Sequence, residues 1–350
     1  MILEENIRRV VPYTPGDQPK LEKLIKLNTN ECPYPPAPGI KKVLETFDVD
    51  NLRRYPDTTA KPLTQALAQY YGLNENQVFV GVGSDDVLAM IFMTFFNSGK
   101  PIVFPDITYS FYDVWADLLR IPYEVKPLNE KFEIEPEAYE CENGGVIFPN
   151  PNAPTGALLP LETVEQIIEK NQNVLVVVDE AYIDFGGKSA VGLIQKYENL
   201  MVVQTFSKSR ALAGSRIGYA MGNEKLIKLL NDVKFSFNSY TMDQITQVVG
   251  VEAVKDDAYF KEIVGKIITT REWASKELRA LGFSFHESYS NFVFATHERV
   301  PAKEIYEKLK EKHIFVRYFN KPRIDNYLRI TIGTDEEMKQ LIKELKEILG

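Results

Sequence analysis

The sequence predicts an α/β protein with a large domain, whose mostly parallel sheet is sandwiched by helices, and a smaller α+β domain. Two observations lead to this fold class. Between about residues 78 and 206, short apolar runs alternate with helical patterns, which is typical of a sheet with helices on both faces. After about residue 240, long helical patterns mix with short strands instead.

Five apolar runs are the predicted strands of the large domain. They span residues 78–80, 102–104, 146–148, 174–178 and 201–203, with helical patterns at 85–96 and 161–170 between them. The fourth run is unbroken aliphatic sequence, as expected for a strand buried on both faces of a parallel sheet. Polar or glycine-containing segments follow the runs at 81–86, 105–109, 150–156, 179–182 and 205–208. Because ligands bind beyond the carboxyl ends of such strands, we expect one shared site there.

The second domain is predicted from three helical patterns and three short strands. The helices are expected at 244–254, 259–281 and 302–312, and the strands at 292–294, 315–317 and 328–332. The proline-rich residues 33–38 suit an extended connection. We therefore predict a large domain over residues 33–238, and a small domain that combines an N-terminal arm, 1–32, with residues 239–350.

Composition argues against several classes of function. At 350 residues the chain exceeds the usual size of one core. Its net charge of −8 disfavours a nucleic-acid partner, which requires a basic face. No apolar run approaches the roughly 20 residues that span a bilayer, and the first residues lack the pattern of a signal peptide. The 2 cysteines and 3 histidines show no metal-ligand spacing, and two cysteines are too few for a disulfide framework. We therefore expect a protein of the reducing cytoplasm that binds no metal. From the charge and the apolar runs, we also expect no nucleic-acid partner and no membrane.

The segment 205–216 carries the strongest chemical signal. Lys208 follows a buried strand, where a low dielectric makes the neutral amine of Schiff-base chemistry accessible. Thr205 and Ser207 add hydroxyl groups, and Arg216 adds a guanidinium group that can bind a phosphate in a bidentate manner. A lysine taken alone is more often a solvated surface residue, but this flanking pattern favours a site for a phosphorylated aldehyde cofactor.

Asp179 and Tyr182 suit the ring of such a cofactor. Asp179 closes the aliphatic run, and a carboxylate there is costly unless it meets a cation. A protonated pyridine nitrogen would be that cation, and Tyr182 could donate to the ring's phenolate oxygen. The alternative is an N-cap aspartate with a core tyrosine.

The loop 81–86 precedes an amphipathic helix and has two glycines, a pattern that provides backbone N–H groups to an anion. Asp85 and Asp86 look unusual for phosphate binding, but one of them can cap the helix and turn its charge away. Tyr109 offers an aromatic face to a flat ring, or is an ordinary half-buried tyrosine.

Taken together, these motifs resemble the fold-type-I pyridoxal-phosphate-dependent aminotransferases, and within them the histidinol-phosphate aminotransferases. The resemblance covers nearly the whole length. It rests on Asp-Glu-Ala-Tyr at 179–182, the segment 207–216, Pro-Asn-Ala-Pro-Thr-Gly at 151–156, Leu-Asn-Thr-Asn-Glu at 27–31, Arg-Tyr-Pro-Asp at 54–57 and Leu-Arg-Ile-Thr-Ile-Gly-Thr at 328–334.

The resemblance implies pyridoxal 5'-phosphate as cofactor and a role for each matching residue. Lys208 would be the Schiff-base lysine and general acid/base, Asp179 would pair with the pyridine nitrogen, and Tyr182 with the phenolate oxygen. The remaining cofactor contacts are Tyr109 on the ring, and Ser84, Asp85 (through its backbone N–H), Thr205, Ser207, Arg216 and the neighbouring subunit's Tyr55 on the phosphate. A site completed by a neighbour implies a homodimer.

For substrates, the resemblance implies that histidinol phosphate and imidazole-acetol phosphate are interconverted with 2-oxoglutarate and glutamate by ping-pong transamination in histidine biosynthesis. Arg329 would bind the amino-acid carboxylate, and Arg317 and Tyr13 would lie near the substrate phosphate. Lys321 and Arg323 could share or replace the role of Arg317, and all three could be a solvated basic loop. Arg329 alone could be a surface ion-pair residue.

Other functions remain open at this point. The same scaffold could serve an aromatic-amino-acid aminotransferase or a phospho-amino-acid decarboxylase, because the cofactor residues do not dictate which bond breaks. A cofactor-free binding protein would be colourless, and fold alone would not require these residues. A nicotinamide enzyme is disfavoured, since the glycine loop lacks the full G-x-G-x-x-G pattern.

One position departs from the family's pattern. The family usually has asparagine directly before Pro-Thr-Gly, hydrogen-bonded to the cofactor's phenolate oxygen, and here that position is Ala153. We expect Asn152, one residue earlier, to reach the same oxygen. If it does not, Tyr182 acts alone at that oxygen.

Overall fold

The computed structural model of the protein describes residues 6–14, 16–17, 19 and 23–350. Part of the predicted N-terminal arm (residues 1–5, 15, 18 and 20–22) lies outside the described residues. Among the described helices, none combines the length and apolarity that crossing a bilayer requires.

The described chain has twelve strands in two sheets. In chain order they are β1 (Ile25–Leu27), β2 (Val78–Val82), β3 (Ile102–Pro105), β4 (Tyr123–Lys126), β5 (Val146–Pro149), β6 (Val176–Asp179), β7 (Leu200–Thr205), β8 (Ile217–Gly222), β9 (Phe283–Ser284), β10 (Phe292–His297), β11 (Ile314–Tyr318) and β12 (Leu328–Thr331).

The α-helices of the described chain lie between and after these strands. They are α1 (Gly39–Glu45), α2 (Lys61–Tyr71), α3 (Ser84–Phe95), α4 (Tyr112–Leu119), α5 (Leu161–Lys170), α6 (Glu224–Phe237), α7 (Gln244–Lys255), α8 (Asp257–Ala280), α9 (Ala302–Glu311) and α10 (Asp335–Leu349).

The large sheet has seven strands in the order β2-β8-β7-β6-β5-β3-β4. The pairs from β7 through β4 are parallel, while β8 is antiparallel to both of its neighbours, β7 and β2. The mostly parallel sheet that the sequence predicts is thereby confirmed. Its strands β6 and β7 end at Asp179 and Thr205, which places two predicted site residues at the same edge.

Helices cover both faces of this sheet, as predicted. On one face, apolar side chains of α3, α4 and α6 form a core with alternate strand residues such as Val177. On the other face, α2, α5 and α7 form a second core with Val176 and Val178. Since successive strand residues point to opposite faces, the unbroken valine run is buried on both.

The second sheet has five strands in the order β1-β11-β12-β10-β9. β1 pairs in parallel with β11, and the other pairs are antiparallel. Apolar side chains of α8, α9 and α10 pack in the core beside it. A segment near the N-terminus thus completes a sheet that is otherwise built after residue 280, while the predicted domain boundaries stay a prediction.

Strand β8 was not predicted from the sequence. It contains Gly218 and Gly222, and glycine in a short apolar run resembles a loop. The connection from β7, residues 206–216, is too short for the helical crossover that a parallel strand requires, so β8 returns antiparallel. The edge strands β1, β4 and β9 were also missed.

Candidate active site

Two adjoining cavities lie at the carboxyl ends of the parallel strands. The inner cavity has a volume of about 180 Å³, and the outer cavity about 160 Å³. Both are lined by Thr29, Tyr109, Ala153, Tyr182 and Lys208, so the two are continuous. The inner cavity receives side chains that follow β2, β3, β5, β6 and β7, which is the convergence that the sequence predicts.

Most of the predicted site residues line these cavities. Ser84, Asp85, Tyr109, Asp179, Tyr182, Thr205, Ser207, Lys208 and Arg216 line the inner cavity, and Tyr13, Arg317 and Arg329 line the outer one. Asn152 and Tyr55 line neither. A larger groove of about 980 Å³ beside α6 contains none of the predicted residues, so the chemistry of the lining and not the volume identifies the site.

Lys208 lies where the two cavities meet. Its Nζ donates to the backbone carbonyl of Thr29 at 3.2 Å and lies 5.9 Å from the ring centroid of Tyr182. The preceding turn is held by the Ser207 N–H, which donates to Thr205 Oγ1 at 3.1 Å. The turn after β7 therefore directs the amine between Tyr182 and the segment that follows β1.

Asp179 lies at the base of the inner cavity and is 4% exposed. The hydroxyl of Tyr112 donates to its Oδ2 at 2.9 Å, and the Ala181 N–H donates to its Oδ1 at 3.2 Å. Burial raises the pKa of Asp179 from 3.8 to about 6. A buried carboxylate that is fixed but not neutralised fits a cation such as a protonated pyridine nitrogen. Tyr112 was not predicted as a site residue, because its position in the pattern of α4 indicates only a residue of the hydrophobic core.

The start of α3 and Arg216 form the anion-binding end of the inner cavity. No described side chain caps α3, so its first backbone N–H groups remain available to an anion. Gly83 precedes the helix at φ +84°, and a Cβ there would stand 2.3 Å from Arg216 Nη2. Arg216 Nη1 donates to Ser207 Oγ at 3.4 Å. Glycine at 83 thus leaves room for the arginine. The N–H groups at the start of α3 and the Arg216 guanidinium together fit the phosphate of a small cofactor.

Asp85 contributes its side chain as well as its backbone to this end of the cavity. Its Oδ2 lies 3.1 Å from Arg216 Nη2, and its Oδ1 accepts from the Tyr109 hydroxyl at 2.7 Å. Asp86 instead accepts from the Val82 N–H at 2.9 Å. Of the two aspartates, Asp86 is therefore the one whose carboxylate points back toward the end of β2. An incoming phosphate would compete with Asp85 for Arg216.

Tyr182 is bonded to a residue that the sequence did not single out. Asn30 Nδ2 donates to its hydroxyl oxygen at 2.8 Å, and both side chains are buried. The Tyr182 ring packs edge-on against Phe292, with ring centroids 5.2 Å apart. Asn30 lies in the motif at 27–31, which pointed to the family but to no role for this side chain, and no local pattern pairs it with Tyr182.

Asn152 lies in the loop after β5 and does not line either cavity. Its Nδ2 donates to the Ile107 carbonyl at 3.0 Å and to Thr155 Oγ1 at 3.0 Å, which uses both amide hydrogens. Its Oδ1 is buried and finds no partner among the described residues, but a carbonyl oxygen cannot donate to a phenolate. Asn152 thus links the loop after β5 to the loop after β3, and its replacement of the asparagine missing at Ala153 stays a prediction.

Arg329 is a half-buried cation in the wall of the outer cavity, and its Nε atom is buried. Its Nη2 donates to the Asn28 carbonyl at 2.9 Å, while Nε has no hydrogen-bond partner among the described residues. Burial lowers the pKa of Arg329, although a guanidinium remains charged at neutral pH. Because an unpaired buried charge is costly, this arginine suits an anionic ligand and is not a surface ion-pair residue.

Arg317 and Tyr13 complete the outer cavity. Arg317 Nη2 donates to the Thr14 carbonyl at 3.4 Å, and the Tyr13 ring stacks on Phe111 with centroids 4.3 Å apart. Arg323, by contrast, is engaged away from the outer cavity. Its Nη1 lies 2.7 Å from Asp106 Oδ2 and its Nη2 donates to the Leu128 carbonyl at 2.8 Å.

Tyr55 lies apart from both cavities. It is 78% exposed and stacks on Tyr240 with ring centroids 4.4 Å apart. Within one chain it contributes nothing to the inner cavity. No group of three or more His, Cys, Asp or Glu side chains within the described ranges could hold a metal ion.

Known proteins resemble this chain in sequence and in fold. A family model described as Aminotransferase class I and II matches residues 22–345. Histidinol-phosphate aminotransferase 1 of Hydrogenovibrio crunogenus is 54% identical over 343 residues, which cover 98% of this chain and 96% of that protein. Histidinol-phosphate aminotransferase of Lactococcus lactis is 51% identical over 349 residues, covering 100% of this chain and 98% of that one.

A solved structure supports the same assignment. The histidinol-phosphate aminotransferase of Sinorhizobium meliloti, crystallised in complex with pyridoxal-5'-phosphate, superposes with a TM-score of 0.86 at 25% identity. The match covers 93% of this chain and 91% of that one.

Proposed function

The chain belongs to the class I and II aminotransferases, and we propose that it is a histidinol-phosphate aminotransferase in histidine biosynthesis. The family uses pyridoxal 5'-phosphate, and the chain is a pyridoxal-phosphate-dependent enzyme. The observation that carries the proposal is that Lys208, Asp179 and Arg216 line one cavity. These are the amine, the carboxylate and the phosphate ligand that this cofactor requires.

We assign the cofactor contacts to the residues of the inner cavity. The start of α3, Thr205, Ser207 and Arg216 would bind the phosphate, Asp179 the ring nitrogen and Tyr182 the phenolic oxygen, with Tyr109 against the ring. When bound, pyridoxal phosphate supplies an electrophilic carbon for amino groups and a ring that stabilises negative charge at the substrate's α-carbon.

The protein's own residues perform the remaining steps. Lys208 would hold the cofactor, and its Nζ, once free, would take the proton from the substrate's α-carbon and later return one. Asp179, fixed by Tyr112, would keep the ring nitrogen of a bound cofactor protonated. Desolvation of the half-buried Tyr109, together with the charge of Asp85, raises the pKa of its phenol well above the ordinary value, so its hydroxyl remains a hydrogen-bond donor.

Both proposed substrates are anions that must use the same cavity. Glutamate carries carboxylates, and histidinol phosphate carries a phosphate. Arg329 and Arg317 line the outer cavity beside Lys208, and a guanidinium can bind either anion in a bidentate manner. We assign Arg329 to the carboxylate of glutamate and to the phosphate of histidinol phosphate, and Arg317 with Tyr13 to that same phosphate.

We further propose a cytoplasmic homodimer in which each subunit completes the site of its partner. Five exposed apolar residues form a surface that we call the aromatic patch: Val49 (70% exposed), Leu52 (52%), Tyr55 (78%), Phe237 (69%) and Tyr240 (47%). Gln244 Nε2 ties this region together by donating to the Arg54 carbonyl at 2.9 Å. An apolar surface of this kind favours association, and burying it would remove Tyr55 from water and bring it toward a second chain.

The test is the visible absorption spectrum of the purified protein, before and after L-histidinol phosphate is added. We expect a band from protein-bound pyridoxal phosphate that bleaches at micromolar substrate and returns with 2-oxoglutarate. A band that responds only to an aromatic amino acid would move the substrate to the aromatic aminotransferases. Carbon dioxide released from a phospho-amino acid would indicate a decarboxylase. No band after reconstitution would contradict the assignment of Lys208.

A further inference from the structure

We propose that Asn30 is a positioning residue that directs the hydroxyl proton of Tyr182 toward the phenolic oxygen of the cofactor. The inference rests on the proposed function, because it presumes pyridoxal phosphate in the inner cavity. It assigns a task to a buried residue that carries no charge.

The hydrogen bond between Asn30 and Tyr182 has a direction. Asn30 Nδ2 lies 2.8 Å from the Tyr182 hydroxyl oxygen, and an amide nitrogen can only donate. The hydroxyl oxygen therefore accepts, and its single proton must be donated elsewhere. Tyr182 lines both cavities, so the cavity is where an acceptor for that proton can bind.

The orientation of the Asn30 amide is held by the second sheet. Its Oδ1 accepts from Thr331 Oγ1 at 3.0 Å, and its backbone N–H donates to the same hydroxyl at 3.1 Å. Because that oxygen already accepts the backbone proton, the threonine's own proton is free for Oδ1. The Asn30 carbonyl accepts from Asn291 Nδ2 at 3.0 Å, which fixes the backbone as well. The amide oxygen thus faces β12 and the amide nitrogen faces Tyr182.

The direction matters because few other donors are available at the phenolic oxygen. Ala153 has no polar side chain, and the amide hydrogens of Asn152 are donated to the Ile107 carbonyl and to Thr155 Oγ1. A donor at the phenolic oxygen draws negative charge from it and weakens its hold on the proton at Lys208 Nζ. By keeping Tyr182 a donor toward the cavity, Asn30 lowers the pH at which that proton is lost.

Charged and titratable groups surround Tyr182 and Lys208 from every neighbouring element. They are the carboxylates of Glu31, Asp85 and Asp179, the guanidinium groups of Arg216, Arg317 and Arg329, and the phenols of Tyr13 and Tyr109. None of them is changed by substitutions at positions 28, 30 and 182, so their effect cancels when two variants of the same background are compared.

The experiment is a pH titration of the visible absorption of the cofactor-loaded protein, which reports the proton at Lys208 Nζ without requiring turnover. Asn30→Asp keeps the size of the side chain but replaces the donor with an acceptor, so the Tyr182 proton turns toward the introduced carboxylate and away from the cofactor. The same substitution is made in a Tyr182→Phe background, where only the added charge can act. We expect the upward shift of the midpoint to be larger with Tyr182 present by about one pH unit.

Two further variants keep the inference falsifiable. Asn30→Ala removes the donor without adding charge, and should raise the midpoint only when Tyr182 is present. Asn28→Asp adds the same charge in the same segment, where the native amide donates to the Asp17 carbonyl and not to Tyr182. It should shift the midpoint equally in both backgrounds.

The outcomes separate this inference from the proposed function. Each Asn30 substitution is compared between the parent protein and the Tyr182→Phe background. If Asn30→Asp shifts the midpoint equally in the two backgrounds, and Asn30→Ala does so as well, the role of Asn30 is overturned and the cofactor assignment remains intact. Absence of any band in the parent protein after reconstitution overturns the proposed function itself. A shift that requires Tyr182 supports both.

Discussion

Single residues define this site mainly through buried charge. Asp179 is buried and Arg329 is half-buried, and each lacks a charged partner that would neutralise it within hydrogen-bonding distance in the described chain. Buried charges are costly unless they are paired, so both are placed for ligands that carry the opposite charge. The expected ligands, a protonated ring nitrogen and a substrate carboxylate, provide those charges.

Asp179→Asn should stabilise the cofactor-free protein above pH 6. Burial raises the pKa of Asp179 from 3.8 to about 6. Its favourable contribution to folding is complete below about pH 4 and is lost as the pH rises through about 6, whereas asparagine stays neutral. The variant's gain in unfolding free energy should grow from near zero at pH 4 to on the order of 3 kcal/mol at pH 8.

Chemical denaturation of the cofactor-free protein across this pH range measures the effect of Asp179→Asn. Glu130→Gln, at an exposed carboxylate, is the control and should show no such trend. A variant less stable than the parent at pH 8 would mean that Tyr112 and the Ala181 N–H stabilise the carboxylate more than burial destabilises it.

Arg329→Ala should raise KM for glutamate and for histidinol phosphate by about 100-fold, as expected for the loss of a charge-assisted hydrogen-bond pair. Steady-state kinetics with each substrate provide the measurement. Lys321→Gln is the control, because it removes a nearby exposed cation that could have shared this task, and KM should change by less than about twofold. Unchanged KM values in Arg329→Ala would remove this residue from the substrate site.

At the scale of elements, the antiparallel strand β8 shapes the phosphate end of the site. β8 pairs with β2 along the length of β2 and opposes Gly81 with Gly218. A Cβ on Gly218 would stand 2.2 Å from the carbonyl carbon of Gly83 and from the nitrogen of Ser84. The glycine therefore lets β8 approach the backbone at the start of α3, so that Arg216, directly before β8, can share the cavity with the N–H groups of that helix.

Gly218→Ala should lower both stability and cofactor affinity. The added methyl group meets backbone atoms, which cannot rotate away, so overpacking should cost about 3 kcal/mol of unfolding free energy. Denaturation and a pyridoxal-phosphate titration would measure the two losses. Gly214→Ala is the matched control, since a Cβ there meets no described atom within 4 Å. Equal behaviour of the two variants would show that the approach of β8 to α3 is not under steric constraint.

At the scale of the whole molecule, the two sheets contribute to one site, and we propose that a second chain completes it. Lys208 and Tyr182 come from the large sheet, whereas Arg329 and the segment after β1 come from the second sheet. Tyr55 does not reach the cavities of its own chain and lies exposed in the aromatic patch. Assembly through that patch is therefore proposed as a requirement for full cofactor binding.

The protein should behave in sedimentation as a particle of twice the 40.0 kDa chain mass. Leu52→Asp combined with Phe237→Asp introduces charge into the aromatic patch and should give monomers with weaker cofactor binding, because burying a charge is costly. Val125→Asp is the control, on the exposed edge strand β4 at the opposite end of the large sheet. A double variant that remains dimeric would place the interface elsewhere.

Local sequence was sufficient for much of the fold and of the site. Alternating apolar runs and helical patterns predicted β2, β3, β5, β6 and β7 with helices on both faces, because periodicity reports burial directly. The residues at the carboxyl ends of those strands were predictable as well, since parallel strands bring their ends to one edge. Lys208 and Asp179 were found in this way.

Only the tertiary structure decided which polar groups meet across large separations in sequence. Asn30 reaches Tyr182 and Thr331, and Tyr112 reaches Asp179, through pairs that no local pattern encodes. The same holds for Asn152, whose residue type suited the cofactor but whose amide donates to the Ile107 carbonyl, 45 residues away, and to Thr155. Sequence patterns report whether a side chain is buried, whereas the direction of a hydrogen bond depends on the partner that folding places beside it.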